Sequence, residues 1–211
     1  MKSTDYKSIL QDGYSEIIID KSKFIATVKK VHNEQDAIHF IHEMKKKYWD
    51  ATHNCSAFLL FSGEMRSSDD GEPAGTAGKP ILECIKKNDI YDVAVVITRY
   101  FGGIKLGAGG LIRAYTAATQ EGIKYSGIVQ NIYHHVFNLE LEYGHWEKIE
   151  NYFKQHHIQY KKPTFCEKIN VTFYSVNEKE IIDEISNILH GKINIIELPG
   201  EFIEVLLQKP L

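Results

Sequence analysis

Hydrophobic and polar residues follow two periods along the first 130 or so positions of the chain. Segments in which apolar and polar residues alternate predict β-strands, and segments with an apolar residue every three or four positions predict helices. The predicted strands are residues 14–20, 23–31, 53–62 and 93–99, and the predicted helices are residues 34–48 and 111–125. Residues 63–80 contain four glycines and two prolines, and they are predicted to form a long loop.

The rest of the chain has a different order of elements. Its patterns predict strand, helix, two strands, helix and strand, which is the βαββαβ order of the ferredoxin-like fold. These elements are predicted at residues 136–142, 144–156, 158–165, 168–174, 178–189 and 193–198. The sequence therefore predicts an α+β protein with two domains, residues 1–132 and residues 133–211.

Composition narrows the class of protein. The chain is 43% hydrophobic and 25% charged, as is ordinary for a globular protein. No apolar run reaches the ~20 residues that span a bilayer, and the N-terminus lacks an apolar signal core. The three cysteines, Cys55, Cys84 and Cys166, are widely spaced and odd in number, which argues against a disulfide scaffold. We therefore expect a cytoplasmic protein without membrane contact.

Charge is distributed unevenly between the two predicted domains. The net charge of −3 gives no global signal for binding nucleic acid. Residues 1–134 carry 17 basic and 16 acidic side chains, whereas residues 135–211 carry 8 basic and 12 acidic ones. All three arginines, Arg66, Arg99 and Arg113, lie in the first part. A binding site for a polyanion is therefore expected in the first domain.

The most distinctive stretch is residues 93–115, where an apolar strand runs into a glycine-rich turn and then a helix. A helix start offers unpaired N–H donors and a partial positive charge, and arginine forks suit phosphate or carboxylate groups. The stretch therefore predicts an anion site. Its predicted residues are Arg99, Tyr100, Gly102, Gly103, Lys105, Gly107, Gly109, Gly110 and Arg113.

This stretch does not contain a standard nucleotide-binding motif. The Walker spacing is absent, and Ile112 occupies the third glycine position of the dinucleotide fingerprint that Gly107 and Gly109 begin. The glycines are also compatible with a tight turn and close helix–sheet packing alone. Tyr100 and Phe101 are either core residues or, if exposed, platforms for a base. Arg113 is unfavourable near a helix start unless an anion or an acid neutralises it.

An acidic loop provides the second candidate site. Asp69, Asp70 and Glu72 place three carboxylates within four residues. They could hold Mg²⁺, with Asp69 and Asp70 as ligands, or they could pair with the arginines. A solvated acidic loop is the simpler interpretation.

The third candidate is a histidine and a cysteine two positions apart. His53 and Cys55 would lie on the same face of the predicted strand at residues 53–62. A thiolate nucleophile activated by the imidazole is conceivable, but the sequence offers no orienting third residue. A buried structural cysteine is the favoured interpretation.

Together these stretches resemble the YigZ/YvyE family, the bacterial relatives of the translation regulator IMPACT. The matching segments are KSKFI at residues 21–25, ATHNC at 51–55, DDGEPAGTAG at 69–78 and TRYFGGIKLG at 98–107. The resemblance implies a first domain of the βαβ fold shared by ribosomal-protein domains and small-metabolite kinases. It also implies a second domain similar to a terminal domain of elongation factor G, and a role connected with translation.

Three functional hypotheses follow. The first is a cytoplasmic binding or regulatory protein that engages RNA, a ribosome or a translation-associated protein through the anion site. The second is a Mg²⁺-dependent hydrolase or phosphotransferase acting on a phosphorylated small molecule. The third is a protein-interaction adaptor whose acidic loop pairs internally with Arg99 or Arg113. We favour a binding protein over an enzyme, and we expect no cofactor or metal outside the second hypothesis.

Overall fold

The structure, a computed structural model, describes residues 5–210 apart from the side chain of Gln208. Over this range the protein is mixed α+β, with two antiparallel sheets and five helices. It divides into two compact units. The first contains the described chain up to Asn131 together with the residues from Glu204 onward, and the second is Ile132–Ile203. No helix among residues 5–210 has both the length and the apolar character needed to cross a bilayer.

The first unit is built on a five-stranded antiparallel sheet with helices on both faces. The strands of the unit are β1 (Tyr6–Ile9), β2 (Gly13–Ile19), β3 (Ser22–Lys30), β4 (His53–Leu59), β5 (Met65–Ser68) and β6 (Val93–Tyr100), of which β1 lies outside this sheet. Its helices are α1 (Glu34–Lys47), α2 (Gly78–Lys87) and α3 (Gly107–Ser126). The sheet has the order β2-β3-β6-β4-β5, so β6 lies at its centre.

Side chains of the central strand β6 alternate between two hydrophobic clusters. Val95 and Ile97 pack on the face that α2 and α3 cover, whereas Ala94 and Val96 pack on the face that α1 covers. Because both faces are buried, the strand is apolar from Val93 to Ile97, as its sequence predicts. The same alternation directs Arg99, the last residue of β6 but one, toward the face of α2 and α3.

Helix α1 confirms the helix predicted at residues 34–48. The Asn33 side chain accepts a hydrogen bond from the backbone N–H of Asp36 at 2.9 Å, as an N-cap residue does. Acidic residues lie in the first turn of α1 and lysines in the last, which complements the helix dipole.

The predicted long loop at residues 63–80 is partly wrong. It contains the edge strand β5, and its last residues form the first turn of α2. The hydrophobic pattern misses α2 because Gly78 and Pro80 occupy its first turn, where proline is compatible with a helix. Helix α3 also starts earlier than predicted, at Gly107, so three of the glycines lie in its first turn and not in a connecting turn.

The second unit contains the predicted order of elements. They are β7 (Ile128–Leu141), which begins in the first unit, α4 (Tyr143–Gln155), β8 (Thr164–Phe165), β9 (Ile169–Ser175), α5 (Glu178–Ile188) and β10 (Asn194–Gln208). Strand β9 lies between β7 and β8, and β10 pairs with β7. Phe137 and Phe173 face each other across β7 and β9 with ring centroids 5.3 Å apart, at the centre of a hydrophobic core. Strands β7 and β10 are longer than predicted and β8 is shorter.

One glycine after β6 is required by close packing. A Cβ on Gly102 would lie 2.0 Å from the carbonyl carbon of Lys21, in the turn that joins β2 to β3. Gly109, in the first turn of α3, is different, because a Cβ there would meet only Arg113 Nη1, at 3.5 Å.

We therefore expect Gly102→Ala to lower the free energy of unfolding by at least about 2 kcal/mol, since the Lys21 backbone cannot move away from the new methyl group without distorting the turn. The matched control Gly109→Ala should leave it unchanged or raise it by up to about 1 kcal/mol. Urea unfolding of both variants checks the pair, and equal stabilities would contradict the proposed packing.

Candidate functional site

A cleft of about 390 Å³ opens on the first unit where β6 ends and α3 begins. His53 and Arg99 contribute to it from the ends of two paired strands, and Glu72 contributes from the acidic loop. Lys105 and Gly107 line the side formed by the start of α3. Cleft volumes of this size suit a small ligand or one residue of a polymer.

A buried ion pair forms part of the cleft wall. Arg99 Nη1 donates to Glu72 Oε1 at 2.6 Å, and the two residues are only 5% and 8% exposed. The fully buried Tyr115 donates its hydroxyl proton to the same Glu72 oxygen at 2.7 Å. These bonds compensate the cost of burying both charges. The pair links the end of β6 to the acidic loop, as the third hypothesis anticipates.

One nitrogen of the Arg99 guanidinium has no hydrogen-bond partner in the described chain. Arg99 Nη2 lies 3.4 Å from Ser22 Oγ, but the buried Nε has no hydrogen-bond partner among the described residues. The guanidinium carbon lies 5.4 Å from the ring centroid of Phe24 and 5.6 Å from that of Phe101. Arg99 is therefore fixed by two aromatic rings and an ion pair, with Nε still able to donate.

Cys55 is a buried thiol next to this network. Its Sγ lies 3.3 Å from the Tyr115 hydroxyl and 2.9 Å from the Asp69 carbonyl oxygen. Burial raises the pKa of the thiol to about 12, and the nearby carboxylates contribute in the same direction. Burial also raises the pKa of the Tyr115 hydroxyl far above its ordinary value. Since the thiol stays protonated at neutral pH, the geometry favours a structural cysteine over a nucleophile.

Asp69 caps α2 from nine residues before the helix. One carboxylate oxygen accepts the backbone N–H groups of Ala77 and Gly78 at 3.1 and 2.8 Å, and the other accepts that of Gly75 at 2.8 Å. Partial burial alone would raise the pKa of Asp69, but the three backbone donors outweigh it and lower the pKa below the ordinary value. The anion at the start of α2 is therefore this carboxylate.

Asp70 holds the acidic loop against the sheet. Its carboxylate accepts the backbone N–H of Asn54 at 2.7 Å and pairs with Lys45 of α1 at 2.5 Å. Desolvation opposes ionisation of Asp70, yet these donors, with His53 nearby, lower its pKa. All three predicted carboxylates of the loop thus have partners within the described chain.

His53 presents one ring nitrogen to the cleft. Its Nδ1 lies 2.8 Å from the Asp70 carbonyl oxygen, which can only accept, so Nδ1 carries a proton. Its Nε2 lies 3.9 Å from Glu72 Oε2, and the side chain is 20% exposed. The Asp70 carbonyl therefore fixes the ring orientation and leaves Nε2 facing the cleft.

The start of α3 has no cap among the described side chains. Its N-cap is Leu106, whose side chain cannot accept a hydrogen bond, and the first turn contains no acidic residue. Gly107 has a φ of +69°, a conformation that glycine adopts without strain, and Lys105 is exposed beside it. Arg113 is also exposed, with Nη1 lying over Gly109, and it forms no ion pair within residues 5–210. This helix start can accept an external anion.

The predicted anion-site residues separate into groups. Arg99, Lys105 and Gly107 line the cleft, and Arg113 lies over the first turn of α3. Gly102 and Gly103 form the connection from β6 to α3, and Gly109 and Gly110 lie in the helix. Tyr100 lies on the other face of the sheet, where its hydroxyl donates to Asp50 at 2.9 Å.

Of the two aromatic residues that the sequence offers as platforms for a base, only Phe101, 47% exposed, lines the cleft. Sequence patterns overlook another residue of the site. Tyr115 has the helical spacing of a core residue, and nothing local indicates that it donates to Glu72. Strand parity could have separated Tyr100 from Arg99, because neighbouring residues of a strand face opposite sides.

The second unit contains one cluster of potential metal ligands. His135, Glu178 and Glu197 place ligand atoms within 4.8 Å of one another, among the described residues. His135 Nδ1 already lies 3.1 Å from Glu197 Oε1, and that glutamate side chain is 51% exposed. A proton on His135 Nδ1 that is donated to Glu197 satisfies this arrangement, so we interpret it as a surface hydrogen bond.

If the Arg99–Glu72 pair is structural, breaking either side should unfold the protein more easily. Arg99→Met or Glu72→Gln alone should cost about 3–5 kcal/mol, because each leaves a buried charge without its partner. The double variant should cost clearly less than the sum of the two. Chemical denaturation of the four proteins of this double-mutant cycle gives the coupling, and strictly additive effects would rule out a direct interaction.

Asp69 should also make stability depend on pH. Its pKa is lower in the folded than in the unfolded state, so its contribution is complete above the unfolded value of about 4 and disappears as pH falls through the folded value. We expect Asp69→Asn to reduce this acid-induced loss, whereas the exposed control Glu83→Gln on α2 should preserve it. Thermal melts across the acidic range make the comparison. A wild-type acid profile in Asp69→Asn would contradict the capping role.

The whole chain can now be compared with known proteins. Residues 20–123 match the family model described as the Impact N-terminal domain. The IMPACT family member YvyE of Bacillus subtilis (strain 168) is 40% identical over 204 residues, which is 94% of each protein. An IMPACT family member of Haemophilus influenzae is 32% identical over 167 residues, 77% of this chain and 81% of that protein.

A crystal structure described as that of a hypothetical protein shares the fold. Its TM-score is 0.60 at 23% identity, and the match covers 92% of this chain and 98% of that one. The sequence similarity to YvyE extends over nearly the full length of both proteins. The chain therefore belongs to the IMPACT family.

Proposed function

We propose that this chain is a translation- or RNA-associated binding protein that holds a phosphate group of its RNA partner at the start of α3. The observation that carries the proposal is the uncapped helix N-terminus beside two cations without acidic partners, Lys105 and Arg113, within the described chain. Backbone N–H groups, the helix dipole and side-chain cations all favour an anion there. Family membership supports a partner connected with translation.

The internal pairing of the other charges supports this choice of site. Arg99 is neutralised by Glu72, and the start of α2 is occupied by Asp69. The positive field that remains in this region therefore comes from the start of α3, Lys105 and Arg113. A single concentrated patch of this kind can bind one phosphate group without making the whole surface basic.

The enzyme hypothesis receives less support from the geometry. A Mg²⁺ site needs several free oxygen ligands, but Asp69 accepts three backbone N–H groups and Asp70 pairs with Lys45. Recruiting them would uncap α2 and release the loop from β4. A binding protein requires no such rearrangement.

We also retain two finer proposals about the fold. The first unit would have the βαβ fold that ribosomal-protein domains share with small-metabolite kinases. The second would be a ferredoxin-like domain similar to one in elongation factor G, and its βαββαβ order of elements is compatible with that. Both relationships are to folds found in translation, and they agree with a cytoplasmic role beside RNA or the ribosome.

The test is binding of a fluorescently labelled RNA oligonucleotide, measured by anisotropy as a function of salt. We expect wild-type binding to weaken with salt, and Lys105→Ala/Arg113→Ala to weaken it about tenfold or more at low salt and reduce the salt slope by up to about 2. The control Lys46→Ala/Lys87→Ala removes the same charge from exposed lysines outside the cleft and should have little effect.

Two outcomes would contradict the proposal. One is the absence of wild-type RNA binding at low salt. The other is an equal loss of affinity in both double variants, which would indicate attraction by net charge and not by a site. Unchanged thermal melting of all variants would show that the effects do not arise from unfolding.

A further inference from the structure

We infer that the group held in the cleft is a terminal phosphomonoester, with its own nucleoside in the same cleft, and not a phosphodiester inside a strand. This inference rests on the proposed phosphate site at the start of α3 and specifies its ligand. The chemistry is shared by the phosphorylated end of an RNA strand and by a free mononucleotide. Three features of the cleft favour it.

The first feature is depth. Arg99 Nε is a buried donor without a partner in the described chain, and Arg99 forms part of the cleft wall. An acceptor atom that enters the cleft as far as the Arg99 guanidinium would supply the hydrogen bond that Nε lacks. A phosphodiester carries a sugar on either side and passes across the opening, whereas the end of a chain can enter.

The second feature is the small number of cations. A protein that follows a nucleic-acid backbone has a stripe of basic residues, but residues 1–134 carry nearly equal numbers of basic and acidic side chains. The cations without acidic partners at the start of α3 are only Lys105 and Arg113, among residues 5–210. Two cations and a helix dipole match the charge of about −1.5 to −2 on one terminal phosphate.

The third feature is an aromatic surface within the same cleft. Phe101 is 47% exposed, and the guanidinium carbon of Arg99 lies 5.6 Å from its ring centroid. An exposed aromatic ring next to a phosphate site is a stacking platform for a base. His53 Nε2 faces the cleft as well, where it can accept a hydrogen bond from a ribose hydroxyl. The volume of about 390 Å³ is adequate for one nucleotide.

The experiment compares RNA oligonucleotides of one sequence that carry a 5′-phosphate, a 3′-phosphate or no terminal phosphate, with AMP as competitor. We expect one phosphorylated form to bind about tenfold more tightly than the unphosphorylated form. Lys105→Ala/Arg113→Ala should abolish that difference. Phe101→Ala should weaken the preferred ligand about fivefold or more, and the control Tyr100→Phe, on the opposite face, should not.

The outcomes separate this inference from the proposed function. Equal affinity for all three RNAs, with loss in Lys105→Ala/Arg113→Ala, would overturn the terminal-phosphate inference and leave RNA binding intact. Binding of AMP without binding of any RNA would support the inference with a free nucleotide as its source, and would refute the proposed function. No binding of AMP or RNA would overturn both. Thermal melts of Phe101→Ala show whether its loss of affinity arises from unfolding of the variant.

Discussion

The buried Arg99–Glu72 ion pair is the interaction on which the rest of the first unit depends. It joins the end of the central strand to the acidic loop, and the same loop caps α2 through Asp69 and is anchored to β4 through Asp70. Burying two charges is costly, and this pair is supported by the hydroxyl of Tyr115 on the same carboxylate oxygen. One long-range contact therefore holds the strand end against the loop, and through Asp69 the same loop holds the start of α2.

The pairing of charges within the first unit also determines which helix start keeps its partial positive charge. Two helix starts lie on the same face of the sheet, and the N–H groups at the start of α2 already have a carboxylate in Asp69. Helix α3 begins at a glycine after a leucine, with no acid in its first turn. Of these two helix starts, only that of α3 has no carboxylate within the described chain, which is why we propose it as the place for an external anion.

Sequence patterns predict elements better than they predict partners. A continuous apolar run locates β6 and the helical period locates α1, because both patterns reflect local burial. Helix α2 escapes such reasoning because its cap comes from Asp69, far enough along the chain that no local motif marks it. The pairing of Glu72 with Arg99 bridges 27 residues and depends on how β6 and the loop pack. The sequence identifies these residues as candidates, but folding decides which charges remain free.

Arg99 shows how a residue with a structural role can also take part in the binding that we propose. Its terminal nitrogens point to Glu72 and Ser22, whereas Nε has no partner in the described chain. The guanidinium can therefore maintain the ion pair while a third donor serves a ligand, which the single ammonium of lysine cannot do in a fixed geometry. Because Phe24 and Phe101 hold the guanidinium in place, that donor is oriented before any ligand arrives. The contact that stabilises the fold thereby also prepares the cleft.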